Sequence, residues 1–94
     1  MAENVDELTI EYIEDGVTTV KQLDKVILSK GAWATVLYRY QDWDRAKSEY
    51  GPDKYAIRRY QKREGAYQMR SKFVISSADQ AEKIIAALQV WLKG

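Results

Sequence analysis

Apolar and polar residues alternate with a period of two along most of the chain, and this pattern predicts β-strands. The alternation is clearest from Trp33 to Trp43, where aromatic and β-branched residues dominate. Val17 to Leu28 is also rich in β-branched residues and predicts a strand, although its KQLDKVIL portion could form one or two helical turns. Leu8 to Ile13 predicts a short edge strand that ends at the turn Asp15-Gly16.

The second half of the chain predicts a hairpin and then a helix. Two alternating runs, from Tyr55 to Lys62 and from Gln68 to Ile75, flank a turn at Glu64-Gly65. The stretch before them, Asp44 to Asp53, holds the single proline next to a glycine, so we expect a loop there.

Ser77 opens the predicted C-terminal helix, with Gln80 three residues later as in a capping box. Apolar residues then recur at three- and four-residue spacing, and Gly94 ends the chain; the apolar positions are Ala81, Ile84, Ile85, Leu88, Trp91 and Leu92. The predicted fold class is α+β: a curved antiparallel sheet of four or five strands, with one C-terminal helix packed on one face.

Ninety-four residues make one domain with a modest core. Since a chain of this length buries roughly 60 to 65% of the surface that it exposes when unfolded, we expect a homodimer to form. We divide the chain into an acidic N-terminal segment, 1–16, and a sheet-and-helix domain, 17–94.

Charge is distributed unevenly along the chain. Six acids and no base fall within the first sixteen residues, which leaves fifteen bases against eight acids from Val17 onward; the six are Glu3, Asp6, Glu7, Glu11, Glu14 and Asp15. A solvated, partly mobile terminus is one interpretation of the acidic segment. The other is an arm that competes with nucleic acid for a basic face.

Composition argues against an enzyme. The chain has no histidine and no cysteine, so the usual general base, the commonest metal ligand and thiol nucleophiles are missing. No phosphate-binding glycine motif occurs, and Asp42 and Asp44 are expected to be solvated acids rather than Mg²⁺ ligands. We predict no cofactor and no metal.

Membrane insertion and secretion are also not expected. No apolar run is long enough to span a bilayer, and the first residues are acidic where a secretory signal would be basic. A cytoplasmic location is the resulting prediction.

The strongest functional signal is the segment from Lys54 to Phe73, which holds seven Lys or Arg residues, four aromatic residues and one acid, Glu64. Basic groups bind phosphates and aromatic faces stack on bases, so this pattern favours binding to single-stranded DNA or RNA. An antiparallel sheet with one solvated face explains the same residues without any ligand.

Side chains along a strand alternate between the two faces of the sheet, and this alternation shows which basic residues of the hairpin can share a face. If Ile57, Phe73 and Ile75 face the helix, the opposite face carries bases and one tyrosine from both strands of the hairpin. The strand from Trp33 can be oriented either way, and we favour Arg39 facing outward. The predicted nucleic-acid-binding residues are Arg39, Arg58, Tyr60, Lys62, Arg70 and Lys72.

Two other roles remain open. The aromatic sheet face or the helix stripe could bind a protein partner, and a small-molecule pocket could lie between sheet and helix. Trp91 is expected in the core or at a dimer interface. Trp33 and Trp43 could either pack at the sheet edge or stack on bases, and we favour packing. If bases stack on the protein, Tyr60 is the predicted position, and Tyr38 or Trp33 could join it.

The order of elements and several residues resemble one family. Tyr55, Ile57, Arg58 and Tyr60 form a Tyr-x-Ile-Arg-x-aromatic strand, and Lys72 precedes a short β-run and the helix cap; that second stretch comprises Val74, Ile75, Ser76, Ser77, Asp79 and Gln80. This arrangement is similar to the single-stranded-DNA-binding domains related to human positive cofactor four and its bacterial relatives, including the Whirly-like proteins.

The resemblance implies a homodimer built partly on the helices, whose curved sheets grip unpaired strands in a transcription-related role. It points to Arg58, Tyr60 and Lys72, whereas Arg39, Lys62 and Arg70 come from the facing argument. The acidic N-terminal segment, the loop 44–53 and a longer hairpin at 64–67 depart from the family pattern.

Overall fold

The computed structural model describes residues 4–93 and confirms the α+β class, with a curved antiparallel sheet, or half-barrel, and one C-terminal helix. Glu3 and Gly94, which the sequence placed in the acidic segment and at the end of the helix, lie outside the described residues. The strands are β1 (Tyr12–Glu14), β2 (Val17–Ser29), β3 (Trp33–Asp44), β4 (Glu49–Tyr50), β5 (Lys54–Arg63) and β6 (Ala66–Ile75). Helix α1 is Ala78–Lys93, and a 3-10 turn covers Val5–Glu7.

The sheet order is β1-β2-β3-β5-β6, with β4 paired to β3, and every pairing is antiparallel. Its two tight turns are those that the sequence predicted. Asp15 and Gly16 have φ of 51° and 79°, and Glu64 and Gly65 have φ of 52° and 82°. Two consecutive residues with positive φ are typical of the type I′ turn, which matches the twist of a two-residue hairpin.

The structure resolves the alternatives for local elements. All of Val17–Ser29 is strand, so the helical alternative for KQLDKVIL is wrong. The edge strand begins at Tyr12 rather than Leu8, and the short strand Glu49–Tyr50 lies inside the predicted loop. The helix cap is confirmed, because the Ser77 Oγ accepts a hydrogen bond from the Gln80 backbone N–H at 3.2 Å.

One face of the sheet, the covered face, carries the core. Its buried side chains belong to β3 and β5, and the N-terminal segment 4–11 lies over them; the sheet residues are Ala34, Val36, Tyr38, Tyr40, Ala56 and Tyr60. Val5, Leu8 and Ile10 of that segment are each 6% exposed. The hydrophobic effect therefore holds the segment on the sheet, and its acids Asp6, Glu7 and Glu11 face solvent.

Polar contacts from β2 also fix the N-terminal segment. The Lys25 ammonium donates to the backbone carbonyls of Val5, Asp6 and Leu8 at 3.4, 2.8 and 2.7 Å. The Gln22 side-chain oxygen accepts hydrogen bonds from the Thr9 hydroxyl and the Ile10 N–H. Residues 4–11 are thus packed against the sheet, and the interpretation of this part as a solvated, mobile terminus is wrong.

The opposite face, the groove face, lies beside the helix. Leu37, Tyr55, Ile57 and Ile75 line an apolar groove of about 520 Å³, whose other wall is formed by helix residues; these are Ala78, Ala81, Glu82, Ile84, Ile85 and Leu88, and Leu28 completes the lining. Ile75 and Phe73 both lie on the groove face, as alternation predicted, but only Ile75 is buried; Phe73 is 52% exposed because the helix does not cover it. No described residue of α1 is buried, so the helix leaves the groove open to solvent.

Among the described residues, no helix is long and apolar enough to cross a membrane.

Candidate nucleic-acid interface

Most of the bases on the β5–β6 hairpin have no acidic partner among the residues that the structure describes. Lys54 is the exception, because its ammonium lies 2.8 Å from the Asp42 carboxylate, and this hydrogen bond raises the pKa of Lys54. Within residues 4–93 no ion pair involves the other six bases, Arg58, Arg59, Lys62, Arg63, Arg70 and Lys72. The hairpin therefore keeps a positive charge that the rest of the described chain does not neutralise.

The six residues predicted from sequence do not share one face, and a β-bulge is one reason. Arg59 pairs with Ser71 while Tyr60 pairs with Met69, so Arg70 is the extra residue between them. The Arg70 Nε donates to the Gln61 side-chain oxygen at 3.1 Å, and its Nη2 donates to the Gln68 side-chain oxygen at 3.3 Å. Since Gln61 pairs with Trp33 on the groove face, the bulge directs Arg70 away from Lys72.

Arg58 and Lys72 are cross-strand partners on the covered face. Arg58 is half-buried, with its guanidinium carbon 5.9 Å from the centre of the Tyr38 ring, and its Nε has no hydrogen-bond partner among the described residues. Lys72 is exposed and borders, with Arg58 and Ile10, a small cavity of about 140 Å³. Lys72 can therefore reach a phosphate, whereas Arg58 lies beside the N-terminal segment.

Tyr60 is buried and not on an open face, which corrects the predicted orientation. It is 4% exposed, and its hydroxyl lies 2.9 Å from that of Tyr38, a residue with no exposed surface. Burial, and then the hydrogen bond with Tyr60, raise the pKa of Tyr38. In this conformation Tyr60 cannot stack on a base, because the N-terminal segment makes its face the core.

Arg39 and Lys62 lie apart from the cross-strand pair Arg58 and Lys72. Arg39 is exposed on the groove face, where its Nε is 3.7 Å from the Asp53 carboxylate, and it pairs across the sheet with Tyr55. Lys62 is exposed near the hairpin turn, with its ammonium 5.6 Å from the centre of the Tyr67 ring. Of the predicted bases, Lys62, Arg70 and Lys72 are thus exposed and without an acidic partner among the described residues.

A further group of side chains lies on the groove face at the hairpin end of the sheet, and the sequence analysis did not predict it. We name this group the Trp33 corner; it comprises Trp33, Arg59, Gln61, Gln68 and Arg70. The Arg59 guanidinium carbon lies 4.8 Å from the centre of the Trp33 ring, and Trp33 is 42% exposed. Alternation from Arg58 correctly places Arg59 on the groove face. Neither the bulge nor the exposure of Trp33 leaves a signal in the sequence.

Two hydrogen bonds fix the chain that leads into Trp33. The Lys62 backbone N–H donates to the Ala32 carbonyl at 2.7 Å, and the Tyr67 hydroxyl donates to the Gly31 carbonyl at 2.7 Å. The turn before β3 is thereby tied to both strands of the hairpin. The Trp33 corner is consequently built on rigid elements rather than on a free loop.

The two acids that the sequence analysis weighed as weak Mg²⁺ ligands and expected to be solvated have partners within the protein. Asp42 binds Lys54, and the Asp44 carboxylate accepts the backbone N–H groups of Ala46 and Lys47. Within the part of the chain that the structure describes, no group of three or more acids, histidines or cysteines is arranged to hold a metal ion.

Comparison with protein-family models, with curated proteins and with solved structures finds no match for this chain.

Proposed function

We propose that this protein binds single-stranded nucleic acid, with little sequence preference, through the basic β5–β6 hairpin. The observation that carries the proposal is the set of exposed hairpin bases that make no ion pair within residues 4–93; these are Arg59, Lys62, Arg63, Arg70 and Lys72. Phosphates attract such charges at any sequence, and exposed aromatic rings next to them favour unpaired bases over a duplex. The resemblance to the positive-cofactor-four domains implies the same function and a transcription-related role; of the three residues to which it points, Lys72 is the exposed one.

The structure changes which residues the proposal depends on. Lys62, Arg70 and Lys72 are exposed and keep their predicted role as phosphate ligands. Arg59 and Arg63, also exposed, join them. Arg58 and Tyr60 have no such role in this conformation, and the ion pair of Arg39 with Asp53 makes Arg39 a weaker candidate.

Fluorescence polarisation with labelled oligo(dT) tests this function. Binding should weaken steeply as salt rises, because each phosphate contact releases counterions. The double variant Lys62→Glu/Lys72→Glu should lose at least tenfold in affinity, and each lost contact should lower the slope of log affinity against log salt by roughly 0.7. The matched control Lys47→Glu/Lys83→Glu makes the same charge change outside the hairpin and should bind within about twofold of the wild type.

A flat titration at low salt would remove the proposal. Equal losses in the two double variants would show that net charge, rather than the hairpin, governs binding.

A second observation favours a protein partner, and we propose that this partner is a second copy of the chain. The accessible surface is 6732 Å², whereas a compact monomer of 10.9 kDa should expose about 5,600 Å². The excess is larger than the roughly 800 Å² that each partner buries in an interface of standard size. Because the groove and the exposed helix stripe are apolar and lie side by side, a two-fold dimer can bury both.

A further inference from the structure

We propose that the Trp33 corner is the base-stacking position of the nucleic-acid surface, an assignment that rests on the proposed function. An unpaired base stacks on the Trp33 indole, and Arg59 and Arg70 bind the phosphates on either side of it. The ligand is a single strand of DNA or RNA with an unpaired base.

The surroundings of the other aromatic rings favour Trp33. Tyr38, Tyr40 and Tyr60 are buried in the core, and Trp43 packs edge-on against Tyr50 with ring centres 5.0 Å apart. Tyr67 is half-buried beneath Lys62, and its hydroxyl donates a hydrogen bond to the Gly31 carbonyl.

Three exposed rings remain, and each stands in the wrong surroundings. Tyr12 lies among Glu11, Glu14 and Asp15, which repel phosphate. Phe73 is beside Ile57 on the apolar groove face, and Trp91 belongs to the helix stripe that we assign to the dimer.

The two arginines of the corner have hydrogen-bond donors to offer. An arginine side chain has five N–H donors. Arg70 uses two of its nitrogens on Gln61 and Gln68, and no side-chain hydrogen bond of Arg59 occurs among the described residues. Neither guanidinium has an acidic partner within residues 4–93, so both can donate hydrogen bonds to phosphate oxygens without first breaking an ion pair.

The geometry of the corner also suits stacking. The Arg59 guanidinium lies over the indole of Trp33, which is 42% exposed, so the ring face that Arg59 covers becomes available to a base when Arg59 turns to a phosphate. The hydrogen bonds from Lys62 and Tyr67 hold the preceding turn in place before any ligand arrives. The backbone of this turn therefore loses little conformational entropy on binding.

The ordinary alternative is that Arg59 and Trp33 form a surface pair that contributes to stability alone. Oligonucleotides with and without bases separate the two explanations. Oligo(dT) and an abasic oligonucleotide of the same length carry the same phosphates, but only oligo(dT) can stack. Wild-type protein should bind oligo(dT) more tightly than the abasic strand, and Trp33→Ala should lose about 5- to 100-fold for oligo(dT) while its affinity for the abasic strand barely changes.

Trp33→Leu repeats the measurement with a side chain that fills similar space without a flat ring, in case Trp33→Ala does not fold. Trp33→Phe keeps a ring and should retain most of the preference for oligo(dT). Circular dichroism of every variant checks the fold.

If Trp33→Leu folds and discriminates the two oligonucleotides as the wild type does, the stacking assignment is overturned while the proposed function stands. If the wild type binds both oligonucleotides equally, stacking is likewise excluded and the hairpin binds phosphates alone. If the wild type binds neither strand at low salt, the function itself fails.

Discussion

At the scale of single residues, Tyr38 and Tyr60 depend on each other. Their hydroxyls meet at 2.9 Å inside the core, so removing one leaves the other buried without a partner. Tyr38→Phe should lower the free energy of unfolding by about 1–3 kcal/mol, and Tyr38→Phe/Tyr60→Phe should cost less than the sum of the two single changes, since it leaves no orphaned hydroxyl. Urea denaturation of the four proteins measures this coupling; strict additivity would show that the hydrogen bond is absent.

Tyr38 also makes the free energy of unfolding depend on pH in the alkaline range. Burial raises the pKa of Tyr38 above the value of about 10 for an unfolded chain. Above pH 10 the unfolded state therefore releases a proton that the folded state keeps, so this contribution is complete below pH 10 and is lost as the pH rises. Tyr38 alone should lower stability by about 1.4 kcal/mol per pH unit above that point, and the wild type should lose stability more steeply than Tyr38→Phe between pH 9 and 11.

At the scale of elements, the type I′ turn of the β5–β6 hairpin needs its glycine. Gly65 has φ of 82°, and a Cβ added there would meet no atom within 4 Å, so Gly65→Ala strains the backbone without a clash. The free energy of unfolding should fall by roughly 1 kcal/mol. Gly51→Ala is the control, because Gly51 lacks a positive φ and its nearest contact would be an ordinary 3.7 Å; equal losses in the two variants would contradict the strain argument.

The local sequence pattern was enough to predict the strands and the helix, because alternation, turn residues and helix caps each depend on residues close together in the chain. The strands from Val17, from Trp33 and on either side of Glu64-Gly65 follow the predicted bounds closely. Alternation also gave the facing of most hairpin residues, but it failed at Arg70. The bulge there reverses the phase of β6, and Met69, Arg70 and Ser71 are ordinary strand residues whose sequence gives no sign of it.

Which face becomes the core is a question of long-range packing. Both faces of β3 and β5 carry apolar side chains, such as Val36 on one and Leu37 on the other. The choice is made by Val5, Leu8 and Ile10, which come from a segment more than twenty residues away in the chain. For this reason the sequence predicted Tyr60 on an open face and Phe73 beneath the helix, whereas Tyr60 is buried and Phe73 is exposed.

At the scale of the whole molecule, the protein is wide and thin. Its extents are 46 × 39 × 17 Å and its radius of gyration is 15.1 Å, where about 12 Å is usual for a compact domain of this length. A layer covers one face of the sheet, and the other face is left with the open groove. A sequence records that a face is apolar, but not whether the same chain or another copy covers it.

If two copies join through the open groove, the protein should have the mass of a dimer and a melting temperature that depends on protein concentration. Sedimentation equilibrium should give twice the chain mass of 10.9 kDa, and the melting temperature should rise with protein concentration, because dissociation accompanies unfolding. Leu88→Glu places a charge in the groove, at a side chain 47% exposed in the single chain, and should give a folded monomer whose melting temperature is independent of concentration. Gln89→Glu adds the same charge at the next, exposed helix position outside the groove lining and should remain dimeric. A wild type that sediments as a single chain at high concentration, or a Gln89→Glu variant that dissociates as fully as Leu88→Glu, would show that the groove is not the surface that joins the two copies.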